Sequence, residues 1–485
     1  MNRPLIPFFL FPLLMLPFLM LHAQEVEISS FEKINSNIPY LKILGKNNMG
    51  TLIHRYGKKT DLIISYDDEL DVQWKKSINF RQKGVSIARV EIVPDGLLIF
   101  YRKKEGNDLR LYAQKAVGDL QFKGSPIFLG DLKGTRGERV KVILSKDKRK
   151  VATYIVYPQK DGTTIINTNL MDRDLKILSQ NETVLSVRER PAILKKVYVN
   201  NEGLFFFVSG ERANRKRKDF AANTYWVSIL NPGQSTIEEI ELHQPGIYLK
   251  EVEVGIDNIN NNVVLAGLFA NRSANIASGM FYTVIDLESM EYLQKRFEEF
   301  NSELVTKLTG KSKNKTGGLS SFKVDQLILR QDGGAIMVTE SEFTTTETRG
   351  APSFYPSMFY STITYTYYHY NDLLVFSIHP DGTTHWHKII RKKQFSEGDD
   401  GFYSSYNLSF DRNEMQFIFN EEVSANTAII KHSINGIGEM EKEIILGDIR
   451  DEILLVPRLG KQIGSKELIL PSIFRNKLRL VKLTF

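Results

Sequence analysis

The chain has 485 residues, of which 42% are hydrophobic and 25% charged, with a formal net charge of +7 and no cysteine. This length is ample for a large buried core, and without cysteine no disulfide can stabilise that core. The positive charge is mild and scattered, so nucleic acid is not an expected partner. The one dense basic run, 212–218 (RANRKRK), is interpreted as a solvated hairpin tip that can also contact acidic partners.

The N-terminal segment has the layout of a secretory signal peptide. Arg3 is its only charged residue, and an apolar run over 5–21 ends close to the small residue Ala23. We therefore assign 1–23 to a signal peptide and expect an exported protein, in the periplasm or at the cell surface, with no membrane span after its removal. The alternative is an uncleaved anchor, which the three prolines of the run disfavour because they interrupt a helix.

The rest of the chain consists of short apolar or alternating runs separated by Gly, Asn, Asp and Pro, which predict strands joined by turns. Residues 372–390 (DLLVFSIHPDGTTHWHKII) give the clearest unit, with two apolar strands joined by a Pro-Asp-Gly turn. Residues 61–78 (DLIISYDDELDVQWKKSI) are a second copy. Each pair follows further apolar strands, as in 88–101 (ARVEIVPDGLLIFY), so the complete module has four antiparallel strands.

Four-stranded modules that recur along a chain are typical of a β-propeller. The predicted modules cover 38–80, 84–132, 139–187, 193–242, 248–300, 322–394 and 403–446. Residues 453–485 then hold three strands that lack a fourth, while 25–34 (EVEISSFEKI) form a strand without a module. Joining these two segments predicts an all-β propeller domain over 24–485 with eight four-stranded blades, the last closed by the N-terminal strand. Seven blades is the alternative.

Two insertions interrupt the modules. Residues 301–321 begin with a short helical pattern and continue as a Lys/Gly/Ser-rich linker, which predicts a surface excursion. Residues 342–371 (EFTTTETRGAPSFYPSMFYSTITYTYYHYN) form an aromatic hairpin. Tyrosine-rich segments are common at recognition surfaces, so the ligand-binding candidates are its rings: Tyr355, Phe359, Tyr360, Tyr365, Tyr367, Tyr368 and Tyr370. The alternation of Thr and Tyr over 362–370 also fits a hairpin strand that packs on its own blade.

Asp399 and Asp400 complete the candidate site. They precede a predicted inner strand, on the face where propellers bind many of their ligands. Paired carboxylates can bind calcium or carry out acid–base chemistry, but the spacing of an EF-hand loop is missing and a plain turn is the alternative. We assign no catalytic residue.

His379, His385 and His387 are the candidate metal ligands. His385 and His387 are two residues apart, so they point to the same side of a strand. No further ligand has a fixed spacing to them, and we predict no metal.

Two stretches resemble known families. HPDGTTHWHKII and YDDELDVQWKKSI resemble quinoprotein-dehydrogenase-like repeats, a class with a Trp in nearly every repeat. This chain has only three Trp, so we expect no quinone cofactor. The stretch from Trp386 to Asn420 resembles an uncharacterised family of exported Bacteroidota proteins, which brings no known activity.

The sequence therefore predicts an exported, monomeric binding or scaffold propeller that recognises a protein or glycan partner through one face of its ring. The first alternative is a glycan-acting hydrolase or lyase whose catalytic residues come from several blades. The second is an outer-membrane β-barrel, indicated by the terminal Phe485 after alternating apolar residues and opposed by the short strands.

Overall fold

The computed structural model describes residues 25–34, 40–56, 61–78, 80, 84–132, 140–158, 164–185, 192–211, 224–233, 236–271, 276–310, 318–350, 362–412, 414–424, 427–447 and 453–485. The signal segment 1–23 and the basic run 212–218 therefore lie outside the described residues. Within the described residues no helix has both the length and the apolarity needed to cross a membrane.

Strands make up nearly all of the regular structure. In the first half of the chain they are β1 (Glu25–Ile28), β2 (Glu32–Lys33), β3 (Tyr40–Asn47), β4 (Gly50–Tyr56), β5 (Asp61–Tyr66), β6 (Val72–Ser77), β7 (Val85–Val93), β8 (Gly96–Glu105), β9 (Asp108–Val117), β10 (Gln121–Asp131), β11 (Val140–Leu144), β12 (Lys150–Pro158), β13 (Thr164–Asp172), β14 (Ile177–Leu185), β15 (Ala192–Val199), β16 (Phe205–Glu211), β17 (Thr224–Asn231) and β18 (Thr236–His243).

In the described part of the second half, the helix α1 (Ser302–Thr309) and a 3₁₀ turn (Pro457–Leu459) accompany the strands. These strands are β19 (Tyr248–Asp257), β20 (Asn262–Ala270), β21 (Ile276–Ala277), β22 (Gly279–Asp286), β23 (Tyr292–Glu299), β24 (Leu319–Ser320), β25 (Phe322–Leu329), β26 (Ala335–Gly350), β27 (Thr362–Ile378), β28 (Thr384–Ile390), β29 (Gln394–Glu397), β30 (Asn407–Asp411), β31 (Glu414–Asn420), β32 (Ile429–Ile434), β33 (Met440–Leu446), β34 (Lys461–Gln462), β35 (Glu467–Phe474) and β36 (Lys477–Thr484).

Antiparallel pairing divides the described strands into sheets that follow one another along the chain. We number these sheets in chain order. Sheet 1 contains β3–β6, sheet 2 contains β7–β10, sheet 3 contains β11–β14 and sheet 4 contains β15–β18. Sheet 5 contains β19, β20, β22 and β23; sheet 6 contains β25–β29; sheet 7 contains β30–β33; and sheet 8 contains β34–β36 with β1 and β2. β21 and β24 form a separate two-stranded ladder. Consecutive four-stranded antiparallel sheets of this kind are the modules that the sequence predicts.

Burial differs between the strands of a sheet in the way the sequence pattern requires. Central strands such as β8 and β16 have six consecutive buried residues, because sheets cover both of their faces. Fourth strands such as β6 and β10 are largely exposed. The first strands of neighbouring sheets contact one another, as β3 does with β7 and β11 with β15, so the first strands line the centre.

Apolar clusters lie between successive sheets and hold the ring together. One cluster joins sheets 1 and 2, another joins sheets 2 and 3, and the series continues to sheets 7 and 8. A further cluster joins sheet 8 to sheet 1, with Ile469 and Leu480 packed beside Leu41 and Ile64. The fold is therefore an all-β propeller, as predicted. Its blade count stays a prediction, eight with seven as the alternative.

The N-terminal strand closes the last sheet. β1 pairs with β36 from Glu25↔Thr484 to Ile28↔Val481, and β2 pairs further along the same strand. The chain's first described strand thus supplies the outer strand that the C-terminal segment lacks, which confirms the closure expected from the sequence.

The first insertion is anchored on the core. Asn301 caps α1 because its Oδ1 accepts a hydrogen bond from the Leu304 backbone N–H at 2.8 Å. Leu304 and Val305 are buried in the cluster between sheets 5 and 6, and the segment returns through β24, which pairs with β21. The segment expected to be a surface excursion therefore packs its apolar side against two sheets, because its helical pattern is amphipathic.

Chain direction gives the ring two distinct ends. In each antiparallel sheet the turn between the first and second strands lies at the same end as the turn between the third and fourth. We call this the turn end. The hairpin between the second and third strands lies at the opposite end, together with the connection to the next sheet, and we call this the connection end.

Candidate functional site

The aromatic insertion is a long continuation of the central hairpin of sheet 6. β26 and β27 have 16 and 17 residues, and their pairing runs on from Glu342↔Tyr370 to Gly350↔Thr362. Thr and Tyr favour extended backbone on a pleated surface, so the strands continue beyond their sheet. A third strand, β29, pairs with β27 beside Tyr367 to Tyr370. We call these three segments the tyrosine extension, and it projects from the connection end.

One side of the tyrosine extension carries a continuous row of rings, which we call the aromatic face. It comprises the rings of Phe343, Tyr365, Tyr367, His369 and Phe395, together with the aliphatic Ile363. The Phe343 and His369 rings stack with centroids 4.4 Å apart, and Tyr367 stacks on Phe395 at 5.2 Å. Phe343 is 37% exposed and Phe395 is 51% exposed. The aromatic face is thus ordered by cross-strand stacking and still open to solvent.

The opposite side of the tyrosine extension meets the Asp399-Asp400 turn. The Tyr368 hydroxyl donates to Asp400 Oδ1 at 2.5 Å, and this hydrogen bond raises the pKa of Tyr368. Tyr370 is buried against Gly401, where a Cβ atom would lie 2.2 Å from the Tyr370 ring. The structure therefore brings Tyr368, Tyr370 and Asp400 together and leaves Tyr365 and Tyr367 on the other side.

Asp399 has a local structural role. Its Oδ1 accepts hydrogen bonds from the Ser396 hydroxyl at 2.6 Å and from the Gly401 backbone N–H at 2.9 Å. These contacts stabilise a turn in which Asp400 and Gly401 both have positive φ, of 55° and 67°. The turn interpretation therefore accounts for Asp399, while Asp400 contacts the tyrosine extension.

Three of the candidate residues, Tyr355, Phe359 and Tyr360, lie outside the described residues because they belong to 351–361. The aromatic face consequently includes two of the seven ring candidates, Tyr365 and Tyr367. Phe343, His369 and Phe395 were not among the candidates. Their alternation with Tyr in paired strands was the available signal, but the partner strand β29 was not predicted.

A buried ion pair lies at the root of the tyrosine extension. Lys392 Nζ is 2.7 Å from Glu340 Oε1, and the exposed fractions of the two side chains are 0% and 3%. Lys392 also donates to Gln394 Oε1 at 2.9 Å and to the Tyr370 carbonyl at 3.0 Å, while the Ser405 hydroxyl donates to Glu340 Oε2 at 2.7 Å. Burial lowers the pKa of Lys392. These bonds satisfy both charges and tie sheet 6 to the turn before sheet 7.

Arg458 adds sheet 8 to this root. Its guanidinium lies 4.6 Å from the Tyr370 ring centroid and its Nη2 is 3.6 Å from Glu340 Oε2. Sequence reasoning missed Lys392, Glu340 and Arg458 as site residues, because each appears in an ordinary strand or loop context and only the ring brings them together.

The three candidate histidines do not share one set of neighbours. The rings of His379 and His385 lie 4.4 Å apart, whereas His387 lies beside Phe376, where burial lowers its pKa. Trp386 Nε1 donates to the Gly436 carbonyl at 3.1 Å, so this side chain packs sheet 6 against a turn of sheet 7. Among the described residues no group of three or more His, Asp or Glu side chains could hold a metal ion.

The first strands of neighbouring sheets carry acidic groups midway along the centre of the ring. Glu253 of β19 pairs with Lys196, and Asp325 of β25 accepts a hydrogen bond from the Tyr406 hydroxyl at 2.6 Å. Burial raises the pKa of Glu253, and the nearby Asp325 carboxylate adds to the rise. Lys196 opposes this rise, and a raised pKa is what a carboxyl needs to act as a general acid.

Comparisons with known proteins assign no activity to this chain. The sequence matches no protein-family model and no curated protein. Among solved structures, the chain is similar to the Nup133 β-propeller domain of Vanderwaltozyma polyspora, with 8% identity and a TM-score of 0.39 over 83% of this chain and 98% of that one.

Two enzymes are also among the similar structures. Prolyl oligopeptidase B of Galerina marginata has 10% identity and a TM-score of 0.40, and the match covers 92% of this chain but 55% of the peptidase. The apocarotenoid oxygenase of Synechocystis has 8% identity and a TM-score of 0.33, over 95% and 93% of the two chains. At these scores none of the three assigns a family, a substrate or a partner to this chain.

Proposed function

We propose that this protein is an exported binding propeller that recognises a protein partner through the aromatic face of the tyrosine extension. The observation that carries the proposal is the row of stacked rings, with Phe343 and Phe395 exposed and the others half-buried, beside an unpaired strand edge. Large rigid rings bury much area on binding and lose little side-chain entropy, so they contribute strongly at protein interfaces.

The stacking pattern favours a protein over a glycan. Phe343 and His369 cover one another's faces, as do Tyr367 and Phe395, so part of each ring plane is already used. A sugar stacks on an open ring plane, whereas apolar side chains of a protein can pack over ring edges and the gaps between them. The sequence also predicts a glycan as an alternative class of partner, so the experiment below measures glycan binding as well.

The free edge of β26 supports the same choice. β25 pairs with β26 only as far as Ser341, and no described strand pairs with the outer edge of Phe343 to Gly350. The backbone N–H and C=O groups on that edge can accept an added strand from a partner. Backbone pairing at the edge would place the partner's side chains beside Phe343, at the margin of the aromatic face.

Binding should depend on the exposed rings. In the double variant Phe343→Thr/Phe395→Thr both exposed rings are removed while β-branched residues keep the strands extended. The matched control is Phe128→Thr, which removes a ring that is 45% exposed on the outer strand β10. Capture is measured by cross-linking and mass spectrometry on envelope protein, together with a glycan array.

We expect the double variant and a variant lacking 343–370 to lose about tenfold or more in affinity for the captured protein, while Phe128→Thr keeps wild-type affinity. Equal capture by all four proteins would refute the proposal. Glycan binding that disappears in the same two variants would replace the protein partner with a glycan.

Export belongs to this proposal. The apolar segment 5–21 with its following Ala23 supports a signal peptide, and the resemblance of the stretch around Trp386 to exported Bacteroidota proteins supports the same compartment. A periplasmic or surface location and a monomeric state are expected. Fractionation of cells with and without 1–23 tests the location, since cytosolic retention of the complete chain would contradict export.

A glycan-acting hydrolase or lyase is the second candidate function, and the raised pKa of Glu253 beside Asp325 favours it. Activity on a panel of polysaccharides that is lost in Glu253→Gln and kept in Glu238→Gln, an outer-strand control, would support this function. No turnover by the wild-type protein on any member of the panel would reject it.

A further inference from the structure

A cavity of about 580 Å³ lies in the centre of the ring, at the end opposite the tyrosine extension. Its lining comes from the first strands of sheets 2 to 7, and nearly all of these residues lie in the last part of their strands, next to the turns into the second strands. The cavity is therefore at the turn end. A volume of this size suits a small organic ligand.

Most of the cavity wall is apolar. Sheets 3 to 7 contribute aliphatic and aromatic side chains, among them Val142, Val199, Ile256, Leu329 and Phe410. Phe410 is 39% exposed although it faces the ring's interior space, which is a costly position for a ring with no partner. This part of the wall favours a ligand with an apolar body.

The remaining part of the wall is polar and carries the acidic Glu91 together with two cations. Arg89 and Lys146 line the cavity from sheets 2 and 3. Lys42 of sheet 1 joins them through Glu91, which lies 2.9 Å from Lys42 Nζ and also pairs with Arg89. Lys461 of sheet 8 reaches across to sheet 1, where its Nζ donates to the Leu44 carbonyl at 2.6 Å. Four consecutive sheets thus direct cations toward one region.

These cations are not balanced by carboxylates. Glu91 serves both Lys42 and Arg89, and no described Asp or Glu lies within ion-pair distance of Lys461 or Lys146. Burial, followed by the charges of Lys42 and Lys148, lowers the pKa of Lys461 to about 8. An added anion would relieve this repulsion.

We propose that the central cavity binds a small organic anion, with a carboxylate or phosphate head against Lys461, Lys42 and Arg89 and an apolar body against the aliphatic wall. Charge-assisted hydrogen bonds from Lys and Arg are the strong contacts for such a head. The proposal goes beyond the partner-binding function and does not depend on it, because none of the residues involved belongs to the tyrosine extension.

The test is isothermal titration calorimetry of the protein without its signal segment against sodium octanoate, octan-1-ol and inorganic phosphate. We expect octanoate to bind more tightly than either of the other two, because it is the only one of the three with both an anionic head group and an apolar chain. Lys461→Met should weaken octanoate binding about tenfold or more, as loss of one hydrogen bond to a charged group does. Lys123→Met, on the exposed outer strand β10, is the matched control and should keep wild-type affinity.

The variant Glu91→Gln should change octanoate affinity in the opposite direction to Lys461→Met. It frees Lys42 and Arg89 from their shared carboxylate, so octanoate should bind several-fold more tightly, which a purely structural role of Glu91 would not produce. Affinity of the wild type should also fall as the pH rises from 7 to 9, because Lys461 loses its proton and with it its positive charge, while Lys42, Lys148, Arg89 and Glu91 are the charged groups around it.

Equal affinity of octanoate and octanol, or unchanged octanoate affinity in both Lys461→Met and Glu91→Gln, would overturn the proposal. Tight binding of phosphate without octanoate would overturn the apolar half of it. Loss of partner capture at the tyrosine extension has no bearing on any of these results, so failure of one site is distinguishable from failure of the other.

Discussion

The tyrosine extension and the central cavity are built in opposite ways. The tyrosine extension is formed by residues close together in the sequence, and two long strands of one sheet supply most of its rings. The cavity is formed by one to four residues from each of six sheets, spread from Arg89 to Phe410. A surface of the first kind can be recognised as a local pattern, whereas a surface of the second kind appears only when the ring closes.

The two regions also depend on different supports. Lys392, Glu340 and Arg458 hold the root of the tyrosine extension and lie at the connection end. The basic side of the cavity needs sheet 8 beside sheet 1, because Lys461 must reach the Leu44 carbonyl. Disturbing one support should therefore affect one region and spare the other.

Removal of the closing strand should have the largest effect. A variant that lacks 24–33 loses the pairing of β1 and β2 with β36, and it leaves Lys482, whose side chain is 8% exposed, without Glu27 at 2.7 Å. We expect the thermal midpoint to fall by at least about 5 °C, because the closure joins many weak sheet contacts into one cooperative unit. Differential scanning calorimetry measures the change.

The same deletion separates the two regions. Octanoate affinity should fall with the loosening of sheet 8 against sheet 1, while capture through the tyrosine extension should persist below the new melting temperature. The control Glu25→Gln keeps β1 and should melt like the wild type, since residue 25 is exposed. An unchanged melt in the deletion variant would reject the closure as a source of stability.

Breaking the buried ion pair should have the next largest effect. Lys392→Met leaves Glu340 buried without its closest cation, which we expect to lower the free energy of unfolding by about 3–5 kcal/mol. The double variant Lys392→Met/Glu340→Met should recover most of this loss, because no buried charge remains unpaired. Guanidinium chloride unfolding gives both values.

The exposed neighbour Lys393 provides the control, and Lys393→Met should change stability by less than about 0.5 kcal/mol. Partner capture should weaken in Lys392→Met while octanoate affinity stays at the wild-type value. If Lys392→Met were as stable as the wild type, the ion pair would not be what holds the tyrosine extension in place.

The repeat pattern made most of the fold predictable. Sheets 2 and 5, for example, span Val85–Asp131 and Tyr248–Glu299, close to the modules expected at 84–132 and 248–300. Period-2 alternation and turn residues are local signals, so they can be recognised in the sequence without knowledge of the tertiary structure. The unpaired strand at 25–34 predicted the closure for the same reason.

The site was less predictable because its decisive contacts are not local. Lys392 stands in the run Arg391-Lys392-Lys393, which resembles a solvated strand end, yet its side chain is fully buried against Glu340. β29 is four residues long and continues along β27 from where β28 stops, after a break of three residues. Neither fact follows from periodicity, since both depend on how sheet 6 meets sheet 7.

Acidification should have the smallest effect on stability. It should act through sheet 7, which contacts both regions. Phe419 of this sheet has its ring centroid 6.0 Å from Lys392 Nζ, and Phe410 lines the cavity. His432 of β32 stacks on Phe419, and burial lowers its pKa from 6.5 to about 4. Between these two values the unfolded chain binds a proton that the folded chain excludes, so stability is complete above pH 6.5 and is lost as the pH falls toward 4. In His432→Phe the fall in the free energy of unfolding on acidification should be about 1 kcal/mol smaller than in the wild type. In His385→Phe, at an exposed position of β28, this fall should be the same as in the wild type. Thermal midpoints at pH 7 and pH 4.5 measure the difference, and equal pH dependence of His432→Phe and the wild type would exclude His432 as its source.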